Sequence, residues 1–185
     1  MKNLPKNSKV VFEGVLFDTV QWEQEMFDGS EKTFEMIRRK PSTNVIAVQD
    51  DKILVLEQEQ PTKPLFPSLP GGQIDPGENP LDAAKRELLE ETGYASDELI
   101  LFEEFFGSPK FLFHETTFIA KNISKKCEQN LDSGEKISVK FVDFDEFLEL
   151  CREPSFAVSI GLKLMMYEAL LDENKKEEFK KRIFE

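Results

Sequence analysis

Residues 72–94, Gly-Gln-Ile-Asp-Pro-Gly-Glu-Asn-Pro-Leu-Asp-Ala-Ala-Lys-Arg-Glu-Leu-Leu-Glu-Glu-Thr-Gly-Tyr, constrain the fold more than any other stretch of the chain. Both ends of a helix are marked inside them. Asn79 is a capping residue, Pro80 suits the first helical position where its missing N–H costs nothing, and Asp82 puts an acid in the positive first turn. Residues 83–91 are good helix formers, and Gly93 suits the left-handed position just past the end. The predicted helix therefore runs from about Pro80 to about Thr92. Glu87, Glu90 and Glu91 follow the i, i+3, i+4 spacing of one face, while Leu81, Ala84 and Leu88 lie on another that can pack on a sheet. Like charges on adjacent turns repel by about a few tenths of a kcal/mol per pair, so a positive partner is expected there. Hard carboxylate oxygens suit Mg²⁺ or Mn²⁺, which commonly bridge carboxylates to substrate phosphates. A solvated acidic face is the plain alternative for such a charge run.

The spacing of the whole segment resembles the Nudix box, G-x5-E-x7-R-E-U-x-E-E-x-G-U with U bulky and apolar. Gly72, Glu78, Arg86, Glu87, Leu88, Glu90, Glu91, Gly93 and Tyr94 match it, the last being aromatic. The resemblance implies an α/β fold, an α/β/α sandwich around a mixed sheet, and a hydrolase that cleaves a nucleoside diphosphate linked to another group. By position it makes Glu87, Glu90 and Glu91 metal ligands, with the carbonyl of Gly72 or Gly71 completing the shell. Arg86 then orients the acids and Glu78 supports the loop. The implied chemistry is attack of water on phosphorus, assisted by Mg²⁺ or Mn²⁺, with no turnover expected in the absence of metal.

Composition is compatible with such an enzyme. The chain's 185 residues, 39% hydrophobic with 17 phenylalanines, are enough for one domain with a real core and a terminal extension. A net charge of −12 argues against nucleic-acid or anionic-membrane partners, which need a basic footprint. Small anionic nucleotide substrates must then be held by local metal and a few basic residues. Cys127 and Cys151 have neither metal spacing nor a disulfide framework and are expected to be reduced thiols. The polar opening residues and the lack of a long apolar run lead to the expectation of a cytoplasmic protein without signal peptide or membrane span.

Strands are predicted at 9–19, 20–27, 33–39, 44–49 and 53–57, with Asp28-Gly29-Ser30 and Asp50-Asp51 as turns. After the box come strands at 99–106, 116–120 and 137–142, then helices at 143–151, 155–171 and 173–184. The expected organisation is an N-terminal β-rich arm (1–40), a hydrolase domain (41–171) and a charged helical extension (172–185), the last a solvated helix.

A β-rich arm before the core is similar to the ADP-ribose pyrophosphatase branch of the family, where it pairs two subunits and helps build the substrate site. That implies a homodimer. In the segment 32–39, Phe34 matches the position that presents an aromatic to adenine, and Arg39 the one that presents a basic residue to phosphate. Base stacking on an aromatic is worth about 1–3 kcal/mol, and an arginine fork can grip a phosphate twice. Trp22 is an alternative stacking residue or an interface residue. Pro109, 15 residues past the box, matches a proline common in ADP-ribose-directed members and would stiffen a loop beside substrate. Two positions depart from the branch: Lys110 stands where a glycine commonly follows that proline, and Gln60 where an arginine often meets the phosphates. Both put ADP-ribose itself in question and leave other nucleoside diphosphate sugars open.

The stretch 131–137 resembles the acidic loop that, in this branch, bends over the metals and provides a ligand or the base. Glu135 matches best and Asp132 less well; an ionised carboxylate there can accept a proton from water. His114, the only histidine, is read as structural or solvated. Three functions follow as expectations. The first is hydrolysis of ADP-ribose or a related nucleoside diphosphate sugar to a nucleoside monophosphate and a sugar phosphate. The others are sanitation of nucleoside triphosphates and a catalytically silent nucleotide sensor that regulates a partner.

Overall fold

Val45, Ile46, Ala47 and Val48, like Ile53, Leu54, Val55 and Leu56, are buried without interruption, as expected of central strands covered on both faces. The computed structural model describes residues 4–107 and 110–185. Its strands are β1 (Lys9–Glu13), β2 (Phe17–Glu25), β3 (Glu31–Arg39), β4 (Ser42–Gln49), β5 (Lys52–Gln60), β6 (Lys63–Ser68), β7 (Gly71–Gln73), β8 (Tyr94–Ala95), β9 (Glu98–Phe106), β10 (Phe111–Leu112), β11 (His114–Lys121), β12 (Ser124–Lys125) and β13 (Lys136–Val142). The helices are α1 (Pro80–Thr92), α2 (Phe144–Glu149), α3 (Ile160–Leu171) and α4 (Glu173–Phe184). A 3₁₀ turn, Leu150–Arg152, continues α2. The chain divides into two units, Met1–Pro41 with Glu104–Glu115, and Ser42–Glu103 with Thr116–Glu185.

The second unit is the α/β part. Its sheet has the order β13-β5-β4-β11-β9, with β6 added to β5 and β7 to β4. Side chains alternate along each strand, so one set faces each way. Val45, Ala47, Leu54 and Leu56 join Ala84 and Leu88 of α1 in one core cluster. Ile46, Val48, Ile53 and Val55 join Phe147, Leu162, Met166, Phe179 and Ile183 of α2, α3 and α4 in the other. The result is helices on both faces of a sheet, the expected α/β sandwich. Each fully buried Leu, Ile or Phe contributes about 1.5–3 kcal/mol. A two-residue turn joins β4 to β5, with Asp50 and Asp51 both at positive φ (47° and 60°), as a tight hairpin of matching twist requires.

The first unit is a four-stranded sheet, β1-β2-β3-β10, in which β2 and β3 pair antiparallel along their full length and β10 is parallel to β3.

Several local expectations need correction. The predicted strand 9–19 is two strands separated at Gly14, whose N–H donates to the Phe17 carbonyl. The predicted helix 155–171 starts only at Ile160, where the Ser159 side chain accepts the Leu162 N–H. The short strands β6 and β7 were not foreseen, because Lys63–Ser68 holds two prolines and Gly71–Gln73 two glycines. The segment expected as a solvated terminal helix instead sends Phe179 and Ile183 into the core, four residues apart on one face of α4.

Candidate active site

Helix α1 forms as its sequence dictates. Asn79 accepts the Asp82 N–H at 2.9 Å, Pro80 opens the first turn, and Gly93 closes the last at φ 72°, its N–H donating to the Leu89 carbonyl at 2.7 Å. Ala83, Ala84 and Leu88 are buried, and this sets where the acids go. Glu91 follows Leu88 by three residues and is carried to the edge of the packed stripe, where it is only 5% exposed. The plain alternative of a solvated acidic face does not describe this position for that reason.

The surroundings of Glu91 come from remote parts of the sequence. The Gly71 N–H donates to its Oε2 at 2.7 Å, and the buried Gln58 amide lies 3.4 Å from its Oε1 while donating to Ser68 Oγ at 2.7 Å. Burial pushes the Glu91 carboxyl up to about 8, reinforced by the charges of Glu87, Glu135 and Glu90 and opposed by the Gly71 hydrogen bond. Glu87 is also raised, first by burial, with Arg86 pulling the other way. A side chain at Gly72 would place its Cβ on the Glu87 carboxylate, so the glycine makes room for that acid. At Gly71 a Cβ would meet the Thr43 carbonyl, across the β4–β7 pairing.

Arg86 organises the exposed side of this group. Its guanidinium donates to Glu78 Oε1 and Oε2, both at 3.1 Å, to Glu87 Oε1 at 2.8 Å, to Glu90 Oε2 at 3.1 Å and to the Gln73 carbonyl at 3.2 Å. These partners, Glu78 foremost, hold the guanidinium charged well above its usual range. Glu78 in turn accepts the Asp75 N–H at 3.1 Å and so closes the loop before α1. Glu135 lies half-buried after a turn in which its N–H donates to the Asp132 carbonyl at 3.0 Å. Burial raises its carboxyl, and its charge is felt at both Glu87 and Glu91. Gly72, Arg86, Glu87, Glu90, Glu91 and Glu135 thus share one region of the second unit.

Among the described residues, no group of three or more His, Cys, Asp or Glu side chains is already gathered closely enough to hold an ion. The donor set nevertheless fits a hard divalent cation. The Glu91 carboxyl, raised by burial and by the charges of Glu87, Glu135 and Glu90, is a group whose ionised form such a cation would favour, and Gly72 leaves the space beside Glu87 free of a side chain.

The residues expected to touch a nucleotide from the arm lie in the first unit and do not form one surface. β2 and β3 pair without a bulge from Phe17↔Arg39 to Glu25↔Glu31, so Phe34 and Arg39, five positions apart, point to opposite faces. Their odd separation was the signal in the sequence. Phe34 lies with Trp22, ring centroids 6.0 Å apart, and the Lys110 ammonium is 5.3 Å from its centroid. Trp22 is buried and its indole N–H donates to Gln24 at 3.1 Å, so it reads here as the packing partner of Phe34. Arg38 is the arginine on Phe34's face, held by the buried Asp18 at 2.7 and 3.0 Å. Arg39 instead sits 4.6 Å over the Phe113 ring, on the face that carries Phe17 and Phe111. His114 is stacked on Phe106 at 4.5 Å and bonded to Glu104. Pro109 lies outside the described residues. In the second unit Gln60 pairs across a hairpin with Lys63, whose ammonium is 3.2 Å from the Phe66 centroid.

Comparison with known proteins agrees with this geometry. Residues 38–159 match the family model described as NUDIX domain. The ADP-ribose pyrophosphatase of Bacillus subtilis (strain 168) is 30% identical over 159 residues, covering 81% of this chain and 85% of that protein. The methanol dehydrogenase activator of Bacillus methanolicus is 32% identical over 135 residues, covering 70% and 72%. A crystal structure of an ADP compounds hydrolase superposes with a TM-score of 0.70 at 20% identity, covering 94% of this chain and 98% of that one, a likeness of fold.

Proposed function

The chain belongs to the Nudix family, as a hydrolase of the ADP-ribose pyrophosphatase-like kind, and from that premise we propose that it hydrolyses the diphosphate of ADP-ribose or a related nucleoside diphosphate sugar. The products are a nucleoside monophosphate and a sugar phosphate. The observation that carries this reading is the acid face of α1, with Glu91 buried under Gly71, Glu87 against Gly72, and Arg86 tying Glu87 and Glu90 to the loop.

Glu87, Glu90, Glu91 and the Gly72 carbonyl would hold Mg²⁺ or Mn²⁺, with Glu135 as a further ligand or as the base. Bound there, the cation would offset diphosphate charge and lower the pKa of water. The chain's own residues do the rest. Gly71 and Gln58 fix the Glu91 carboxylate. Arg86 keeps Glu87 and Glu90 turned to one side. Glu135 takes a proton as water's oxygen bonds to phosphorus, and the bond from that phosphorus to the bridging oxygen breaks with its electron pair leaving on the second phosphate.

Phe34, flanked by Lys110, offers an aromatic face to the base; Arg39, on the opposite face of the arm sheet, is the arm's candidate for a phosphate, and Pro109 is a further candidate for substrate contact. The protein acts in the cytoplasm as a homodimer. Val10, Val11, Phe12 and Phe17 are exposed apolar residues on β1 and β2, suited to cover by a second copy. No helix is long and apolar enough to cross a membrane among the described residues.

The deciding experiment is product identification with purified protein and Mg²⁺ or Mn²⁺ against ADP-ribose, UDP-glucose, ADP-glucose, NADH, diadenosine polyphosphates and nucleoside triphosphates. Release of AMP and ribose 5-phosphate is expected, and preference for another sugar nucleotide would assign Gln60 and Lys110 to specificity. Triphosphate hydrolysis alone would overturn the reading. A second reading, nucleotide binding that regulates a partner, draws on the name of the Bacillus methanolicus relative. It predicts tight nucleotide binding without turnover in the same panel.

A further inference from the structure

Residues 125–130 lie along the C-terminal end of α1 as a strap. Lys125 Nζ donates to the Thr92 carbonyl at 3.0 Å, the Lys126 and Cys127 N–H groups to the Gly93 carbonyl at 2.8 and 3.3 Å, and the Asn130 N–H to the Glu90 carbonyl at 2.8 Å. These bonds satisfy carbonyls that a helix end leaves without partners, in a helix with no basic residue in its last turn. Residues 124–128 and Asn130 of this stretch are exposed, but Gln129 turns inward and is half-buried. Its amide nitrogen donates to the carbonyl of Glu91 at 2.5 Å and to the carbonyl of Ile137 at 3.2 Å.

We infer that Gln129 is a positioning residue that sets the distance between the Glu91 end of α1 and the loop carrying Glu135. A side-chain NH₂ has two hydrogens to donate, and here each meets a backbone carbonyl of a different element. One acceptor belongs to the residue whose carboxylate is buried in the site; the other lies two residues after Glu135. The strap's backbone bonds cap α1 without this side chain, so removing it should loosen the link between α1 and β13 more than the helix itself. The inference rests on the proposed hydrolase reading for its catalytic consequence, and on the hydrogen bonds alone for its structural one.

The test compares wild type with Gln129→Ala and Gln129→Glu, the latter replacing both donors by acceptors. Amide hydrogen exchange should quicken at residues 88–93 and 131–137 in both variants and stay unchanged in α3 and α4. Mn²⁺ titrated into the substrate-free protein should bind about 10- to 100-fold more weakly, as when an outer partner of a metal ligand is lost. The kcat for the best diphosphate substrate should fall by a similar factor with KM for nucleotide little changed. Wild-type exchange at 88–93 and 131–137 in the variants overturns the inference, as does faster exchange throughout the second unit, which would mark a general stability role. Exchange that responds as expected in a wild-type protein with no metal-dependent turnover supports the bridge and overturns the hydrolase reading instead.

Discussion

The two units of this chain treat charge and apolar surface in opposite ways. In the second, two apolar clusters enclose a sheet on both faces, and the acids Glu87 and Glu91 are set at the margin of one of them, where burial raises both carboxyls. In the first, every residue of β1 is exposed, and the buried acid Asp18 is compensated by Arg38 so that its carboxyl is lowered. Glu91, by contrast, is buried against the charges of Glu87, Glu90 and Glu135, with the Gly71 N–H donating to it, and its ionised form is the one a bound cation would favour.

The sharpest way to break the comparison is Glu91→Gln. The amide keeps the shape and removes the charge, so a loss of several kcal/mol of charge stabilisation should lower kcat on the order of a thousandfold. The fold should survive because a neutral amide suits a 5% exposed position better than an ionised acid. Near-normal turnover in steady-state assays would remove Glu91 from the site. Next in size is Phe147→Ala. This ring is fully buried and packs edge-on against Phe156 at 6.3 Å, so about 3–5 kcal/mol should be lost. Helical circular dichroism follows the second unit, and Trp22, the only tryptophan, reports on the first by fluorescence. Denaturant midpoints that shift equally for both signals would show that the two unfold as one.

How far the sequence could be read depended on the range of the interactions. The limits of α1 were legible because Asn79, Pro80 and Gly93 act within a turn of themselves. The Asp50-Asp51 turn was legible for the same reason. The register of the acids was legible as a pattern, but the burial of Glu91 was not, since Gly71 and Gln58 reach it from 20 and 33 positions away. One clue was present: Glu91 stands i+3 from Leu88 and so belongs partly to the packed stripe. Gln129 carried no signal, because a polar residue in a polar stretch gives no hint of two carbonyls waiting in α1 and β13. That Phe34 and Arg39 lie on opposite faces was legible, as odd spacing on a strand separates faces.

A smaller effect is expected from Gly72→Ala. The new methyl meets the Glu87 carboxylate, the end of a side chain that can move, so overpacking should cost about 1–3 kcal/mol and displace Glu87. Activity should fall more than stability does. The informative measurement is the Mn²⁺ affinity of the variant beside its thermal midpoint; an unchanged affinity would show that Glu87 does not need its place against the glycine.

The smallest effect sharpens the comparison from the other side. The Arg38 hydrogen bond, aided by its charge and opposed by burial, lowers the Asp18 carboxyl below its ordinary value. The folded arm therefore binds fewer protons than the unfolded chain between the depressed value and the usual one near about 3.9. Where the unfolded state holds more protons, stability rises with pH, so this contribution is complete above about pH 4 and is lost as pH falls through the depressed value. Asp18→Asn should remove that dependence, leaving an arm whose Trp22 fluorescence midpoint in denaturant is lower at pH 7 and closer to the parent's at pH 3. An identical pH profile in the two proteins would mean that Arg38 and Asp18 do not govern the arm's acid response, and would remove the lowered Asp18 from its comparison with the raised Glu91.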